Sequence, residues 1–200
     1  MLNYQQIFDE QGFDYSTYFQ TIQQLLAAGK TTGTDHSEAM LHYTKMNVQR
    51  MSRVEKTTVL NPDLLTVLKS LKGTYSFLVI TEGWCGDAAQ IVPVIHKIAE
   101  AAQGKINLKL VLRDENLPLI DAHLTNAGRS IPVLLVLDEH KNLLMPKWGP
   151  RPAVIQNLVV EWKKETSDMA VIAEKLHAWY AKDKTQAIQQ ELTALLRTLN

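Results

Sequence analysis

The apolar residues of the first seventy positions recur every three or four residues, which is the period of a helix with one buried face. They predict helices over residues 13–28, 38–54 and 62–71. Gly29 is a suitable end for the first helix, and Asp35 with Glu38 has the spacing of a capping box before the second. The N-terminal part of the chain is therefore predicted to be helical.

Between Thr74 and Gly149 the pattern changes to short apolar runs that alternate with helical segments. The runs predict strands over residues 77–80, 106–112 and 131–137, and a turn at 138–142 leads into a fourth strand near 143–147. Helices are predicted over 85–102 and 117–126. Strands whose residues are nearly all apolar are typical of a sheet that is covered on both faces. This order predicts an α/β fold with helices packed on a central sheet.

Helical periodicity returns after residue 152, and it predicts helices over 153–165, 169–181 and 186–199. We therefore expect a core at residues 74–149 between an N-terminal helical extension, residues 1–73, and a C-terminal helical extension, residues 150–200. All three segments are predicted to pack as one compact unit.

The charge balance of the chain limits the kinds of molecule that it is expected to bind. The 200 residues include 21 Lys and Arg against 21 Asp and Glu, so the formal net charge is zero. This balance argues against a surface that follows nucleic-acid phosphates and against a polybasic membrane anchor. The first residues do not resemble a secretion signal, and no apolar run approaches the ~20 residues of a membrane span. We expect a cytoplasmic protein without nucleic-acid or membrane partners.

The chain has a single cysteine, Cys85, which rules out an intramolecular disulfide. Cys85 follows a predicted strand and begins a predicted helix. Backbone N–H groups at the start of a helix lack intrahelical partners, and the helix dipole favours an anion there. A thiolate, the nucleophilic form of cysteine, can be stabilised at such a position. The sequence therefore predicts a thiol site at this junction.

The residues around this junction resemble those of the thioredoxin superfamily. The resemblance rests on the run from Trp84 to Ala88, on Ile131-Pro132 opening a later strand, and on Gly149 after the hairpin. Residues 47–51, 112–116 and 148–152 further resemble a group of bacterial thioredoxin-like proteins. The resemblance implies a thioredoxin-like fold, a central mixed sheet flanked by helices, with helical extensions at both ends.

The resemblance also implies roles for individual residues. Cys85 takes the place of the attacking thiol, and Trp84 with Gly86 borders the substrate groove. Pro132 takes the place of the cis-proline beside the sulfur. Ile131 would offer backbone hydrogen bonds to an extended peptide.

The chain departs from the family pattern in ways that bear on chemistry. Ala88 stands where the second, resolving cysteine is expected, which excludes ordinary dithiol turnover. Glu82 and Asp87 place negative charge near the thiol and are expected to raise its pKa, whereas Arg129 is expected to lower it.

Two functions follow from this pattern. In the first, the protein is a monothiol thiol-disulfide oxidoreductase, in which Cys85 attacks a protein or low-molecular-weight disulfide and an external thiol resolves the product. In the second, it is a redox-inert module of thioredoxin fold that binds a peptide or protein. No cofactor or metal is expected, because the six histidines show no ligand spacing.

Five arginines provide an anion-binding patch if the helical extensions pack near Cys85. For each of them except Arg129, an ion pair with a nearby acid is the expected alternative. They are Arg50, Arg53, Arg113, Arg129 and Arg151.

Overall fold

The computed structural model describes residues 2–199. A three-stranded mixed sheet lies at its centre, with the strand order β2-β1-β3. The strands are β1 (Tyr75–Thr81), β2 (Ile106–Leu112) and β3 (Val133–Leu137). Strand β1 runs parallel to β2 and antiparallel to β3. This arrangement confirms the predicted α/β fold with a central mixed sheet.

Helices surround the sheet. Those before it are α1 (Tyr4–Gln6), which continues into a π-helical turn (Ile7–Gln11), α2 (Tyr15–Ala27), α3 (Glu38–Thr57) and α4 (Pro62–Ser70). Those within the core are α5 (Gly86–Ala101) and α6 (Leu117–Asp121). Those after it are α7 (Ala153–Glu165), α8 (Met169–Asp183) and α9 (Gln186–Arg197).

The long helix after β1 organises the packing of both helical extensions. Helix α5 contacts α3 and α4 from the N-terminal side and α8 and α9 from the C-terminal side. Its apolar residues are almost all buried, which is why helices from both ends of the chain can pack around it. The boundaries that separate the core from the two helical extensions, at residues 73 and 150, stay a prediction.

The predicted fourth strand at residues 143–147 is wrong as a regular strand. Leu143 pairs with Leu137 and Trp148 pairs with Leu134, but these are isolated bridges along β3. Pro146 lies between them and has no N–H to donate to a ladder, so the segment follows the edge of the sheet without forming a continuous strand.

Two details near the helix ends also differ from the prediction. The residue that caps α3 is Ser37, and Asp35 instead accepts a hydrogen bond from the Ser37 backbone N–H at 2.9 Å. The predicted capping box between Asp35 and Glu38 is therefore wrong. Helix α6 ends at Asp121 rather than near residue 126, and Asn126 adopts a positive φ of 49° in the loop that follows.

The free edge of β2 is covered by a segment that the periodicity did not identify. Phe13 exchanges two backbone hydrogen bonds with Leu110, at 2.8 and 2.9 Å.

Among residues 2–199, no helix combines the length and the apolar character needed to cross a membrane.

Candidate functional site

Cys85 is the residue that caps the N-terminus of α5, directly after β1. Its side chain is buried, and Sγ donates a hydrogen bond to the backbone carbonyl of Ile131 at 3.4 Å. The Ile131–Pro132 peptide bond is cis, and both residues are buried at the start of β3. The fold thus brings Cys85, Ile131 and Pro132 together from two separate parts of the sheet.

The surroundings of Cys85 favour the protonated thiol. Burial is the main cause, and together with the negative charge of Asp87 it raises the pKa of Cys85 to about 12. The backbone N–H groups of Ala88 and Asp87, and the charge of Arg151, lower that pKa but do not offset the burial. The thiol is therefore neutral at physiological pH.

Asp87 is itself held by two partners from the C-terminal extension, the buried Tyr180 and the largely buried Arg151. Arg151 donates from Nε to Asp87 Oδ1 at 3.1 Å and from Nη2 to Oδ2, and the side chain of Arg151 is only 16% exposed. The Tyr180 hydroxyl donates to Asp87 Oδ1 at 2.7 Å. Because an ionised acceptor strengthens each of these bonds, they fix the carboxylate beside the thiol. Spacing along the chain gave no signal for Tyr180.

Arg129 is paired with an acidic residue, contrary to the prediction. It makes a bidentate ion pair with Asp121, at 2.6 and 2.8 Å, and the pair is nearly half exposed. The expectation that Arg129 is the arginine without an acidic partner is therefore wrong. Arg151 is the arginine whose charge lowers the pKa of Cys85.

Glu82 is fully buried, and its carboxylate is engaged away from the thiol. Oε1 accepts a hydrogen bond from the Asp114 backbone N–H at 2.9 Å, and Oε2 accepts one from the Thr32 hydroxyl. Burial raises the pKa of Glu82 to about 7. The side chain ties the loop before α3 to the junction between β1 and α5, and its predicted effect on the thiol stays a prediction.

Trp84, the residue before the thiol, is half-buried under a guanidinium group. The guanidinium carbon of Arg113 lies 4.7 Å from the centre of the Trp84 ring, within the range of a cation–π contact. Arg113 also donates to Asp114 Oδ1 at 2.8 Å. These contacts orient the indole beside the cleft.

Helix α8 lies against the first turn of α5 and brings His177 against Gly86, the residue that follows the thiol. A Cβ added to Gly86 would lie 2.9 Å from the His177 ring, so only glycine allows this approach without a shift. Burial, with the positive charges of Arg50 and Arg53, lowers the pKa of His177 to about 4. A neutral imidazole therefore covers the helix start. The sequence did not single out His177 for this site.

A cleft of about 370 Å³ opens at the thiol. It is lined by three arginines and one acid together with neutral residues: Arg113, Arg129, Arg151, Asp87, Trp84, Cys85, Ser130 and Ile131. Predicted site residues from two stretches of chain, 84–87 and 129–131, therefore meet at one surface, whereas Glu82, Gly86 and Pro132 are not part of its lining. Such a surface can hold carboxylates through the guanidinium groups.

One other group of side chains has atoms of the kind that bind metals. Ligand atoms of Glu55, His96 and Glu100 lie within 4.8 Å of one another. Lys97 Nζ lies 3.7 Å from Glu55 Oε1, so an ammonium group already neutralises part of this cluster. We assign it no role.

Comparison with known proteins supports the fold more than the chemistry. Residues 33–170 match the sequence model of a family described as Thioredoxin. No curated protein matches the chain. A crystal structure of a protein of unknown function from Pseudomonas aeruginosa superposes with a TM-score of 0.64 at 20% identity, over 100% of both chains. The crystal structure of an HIV epitope-scaffold superposes with a TM-score of 0.60 at 20% identity, over 98% of this chain and 99% of that one.

Proposed function

The chain belongs to the thioredoxin family, and from this premise we propose that it is a binding protein of that fold, which holds an acidic segment of a partner protein in the cleft beside Cys85. The observation that carries the proposal is the lining of that cleft, which contains three guanidinium groups and one carboxylate, that of Asp87, while the acids paired with Arg113 and Arg129 lie outside the lining.

Arg129 is the arginine of the cleft that is most available to a ligand. Arg129 and Asp121 are 46% and 45% exposed, and ion pairs at such exposure stabilise a protein by about 0–1 kcal/mol. A carboxylate of a ligand therefore replaces Asp121 at little cost. Arg113 keeps one face over the Trp84 ring, which supplies an apolar surface beside the charge. Arg151 is engaged with Asp87 and acts as part of the wall.

The state of the thiol favours binding over catalysis. With a pKa of about 12, roughly one Cys85 in 10⁵ is a thiolate at pH 7. The thiol proton is directed at the Ile131 carbonyl, and Ala88 supplies no resolving sulfur. The protonated Cys85 thiol therefore contributes to the shape of the cleft and, through its hydrogen bond, holds the Ile131 carbonyl in place.

The proposal is tested with two fluorescein-labelled decapeptides of matched length, one rich in glutamate and one rich in lysine, by fluorescence anisotropy at low ionic strength. We expect the glutamate peptide to bind and the lysine peptide not to bind. Arg129→Gln should weaken that binding at least fivefold, and Cys85→Ser should leave it unchanged.

Arg197→Gln is the matched control, because Arg197 is an exposed arginine paired with Asp63 on α4, outside the cleft. Equal weakening by Arg197→Gln and Arg129→Gln, or equal binding of the two peptides, would overturn the proposal.

Monothiol exchange is the second candidate, and one observation favours it. Cys85 lines the open cleft, and the first N–H groups of α5 and Arg151 all lower its pKa. In this reaction the Cys85 thiolate attacks one sulfur of a partner disulfide, a new S–S bond forms, and the other sulfur leaves as a thiolate that takes up a proton. An external thiolate then attacks the partner sulfur, which forms a second mixed disulfide and releases Cys85.

Alkylation with iodoacetamide as a function of pH separates the two candidates. Cys85 is the only thiol of the chain, so all labelling reports on it, and Cys85→Ser supplies the blank. A rate that still rises at pH 10 supports the binding function. A rate that levels off below pH 8 supports monothiol exchange.

A further inference from the structure

A second cavity of about 440 Å³ lies between α3, α5 and the junction of α8 with α9. None of the residues that line it also lines the cleft at Cys85. Gln90 and Tyr180 form part of its wall, and Tyr180 separates it from Asp87. The two sites therefore lie on opposite sides of one layer of side chains.

Two cations without acidic partners line this cavity. Within residues 2–199, neither Arg53 on α3 nor Lys184 after α8 has a carboxylate within 4.0 Å, and no acidic residue is part of the lining. The expected ion pair of Arg53 is therefore wrong. By contrast, the three arginines of the cleft at Cys85 are all paired with acids.

A second arginine on α3 adds to the positive charge near this cavity. Within the described residues, the side chain of Arg50, one turn earlier on α3, bonds to the Asn47 side chain and makes no ion pair. The charge of Arg53 adds to burial in lowering the pKa of Arg50. The same two arginines lower the pKa of His177. Uncompensated positive charge in a concave site attracts anions.

A buried hydroxyl adds a polar contact that the protein itself does not use. Thr58 lines the same cavity, and its Oγ1 is turned away from solvent and has no hydrogen-bond partner in the described chain. A buried polar group without a partner is destabilising. A rotation of the Thr58 side chain toward the cavity would bring this hydroxyl to a ligand oxygen, which would supply the acceptor that it lacks.

The backbone at the cavity is held in a conformation that side chains disfavour. Lys184 and Thr185 are consecutive residues with φ values of 52° and 69°, in the left-handed region. Strained backbone of this kind clusters at ligand sites. Here it places both residues in the cavity wall.

We propose that this cavity binds a small molecule through a phosphate group. A guanidinium and a hydroxyl come from the C-terminal end of α3, at Arg53 and Thr58, and an ammonium comes from Lys184 after α8. A phosphate has enough oxygens to accept from all three. The cavity is larger than a phosphate ion alone requires, which leaves room for the rest of a small phosphoester. The site does not depend on the function assigned to the cleft.

Isothermal titration calorimetry with inorganic phosphate and with glycerol 3-phosphate, at constant ionic strength set by NaCl, tests the proposal. We expect both to bind, and Arg53→Gln combined with Lys184→Gln to weaken binding at least tenfold. Tighter binding of glycerol 3-phosphate identifies a phosphoester as the ligand, and tighter binding of phosphate identifies the free ion.

A matched control removes the same two charges elsewhere, with Arg197→Gln combined with Lys164→Gln, and should change binding less than twofold. Thr58→Val keeps the shape of the side chain, and we expect it to weaken phosphate binding several-fold without lowering the midpoint of thermal unfolding. Absence of binding by both phosphate compounds, equal weakening by the control, or equally tight binding of acetate would overturn the proposal.

Discussion

The Tyr180 hydroxyl on α8 donates a 2.7 Å hydrogen bond to Asp87 Oδ1 in the first turn of α5. Both side chains are buried, and Arg151 binds the same carboxylate. The C-terminal extension therefore fixes the negative charge that stands two residues after the thiol. Reactivity at Cys85 depends on this contact as well as on the local motif.

Asp87→Asn should lower the pKa of Cys85. The substitution removes the negative charge that raises this pKa and leaves the positive charge of Arg151 beside the thiol. The pH midpoint of alkylation should move down by at least one unit. At pH 8 the alkylation rate should rise about threefold for each unit by which the thiol pKa falls. The fraction of thiolate rises more steeply than this, but a less basic thiolate is also a weaker nucleophile.

Loss of the buried partner of Arg151 also destabilises the fold, by about 3–5 kcal/mol, so alkylation is measured only where circular dichroism shows the variant to be folded. Asp121→Asn is the control, since Asp121 is exposed and paired with Arg129. An unchanged midpoint in folded Asp87→Asn would show that burial alone sets the thiol pKa.

Tyr180→Phe should lower the free energy of unfolding by about 1.5–3 kcal/mol, the range for a hydrogen bond to a charged group. The phenyl ring keeps the packing of α8, so the loss reports on the hydroxyl. Urea unfolding measures it. Tyr43→Phe, at a position that is 41% exposed, should change stability by less than 0.5 kcal/mol. Equal effects of the two substitutions would mean that the bond to Asp87 contributes nothing.

Much of the fold could be predicted from apolar patterning. Strand β2 occupies the predicted residues, and the helices from α2 onward begin within a few residues of their predicted starts, whereas α1 and the π-helical turn were not predicted. The segment at 143–147 failed because its apolar residues resemble a strand, while Pro146 interrupts the hydrogen bonding that a strand needs.

The site was predictable only where its residues are close in sequence or fixed by the resemblance. Cys85, Trp84 and Ile131 do line one cleft. His177 and Tyr180 could not be predicted, because their contacts to Gly86 and Asp87 join positions about ninety residues apart. Arg151 was named only as one of five candidate arginines, and its expected ion pair is present, but the identity of its partner, the buried Asp87, depends on tertiary packing.

Gly149→Ala should destabilise the protein far more than Gly29→Ala. Both glycines have positive φ, 109° and 68°, so both substitutions strain the backbone. A Cβ at Gly149 would also lie within 2.4 Å of the Pro132 carbonyl oxygen, whereas nothing lies within 4 Å at Gly29. We expect a loss of about 1 kcal/mol for Gly29→Ala and at least 1–3 kcal/mol more for Gly149→Ala. Chemical denaturation of the two variants measures the difference, and similar losses would show that the loop at Gly149 moves freely.

Glu82 should make the stability of the protein fall as pH rises toward neutrality. Its pKa is raised from its usual value of 4.5 to about 7 by burial. Between these two values the folded chain holds the proton while the unfolded chain has lost it, so the free energy of unfolding decreases as pH rises through this window. The stability that protonated Glu82 adds is fully present below about pH 4.5 and is lost above about pH 7. It amounts to about 3 kcal/mol in the free energy of unfolding.

Glu82→Gln should remove this contribution, because glutamine still accepts from the Asp114 N–H and can donate to the Thr32 hydroxyl oxygen. Urea unfolding at pH 5 and at pH 8 measures it as the difference between the wild-type protein and the variant, which cancels groups common to both. Glu161→Gln, at an exposed position on α7, should behave like the wild-type protein. If the Glu82→Gln difference were the same at both pH values, Glu82 would have to be ionised throughout, with its charge compensated by a contact other than those to Thr32 and Asp114.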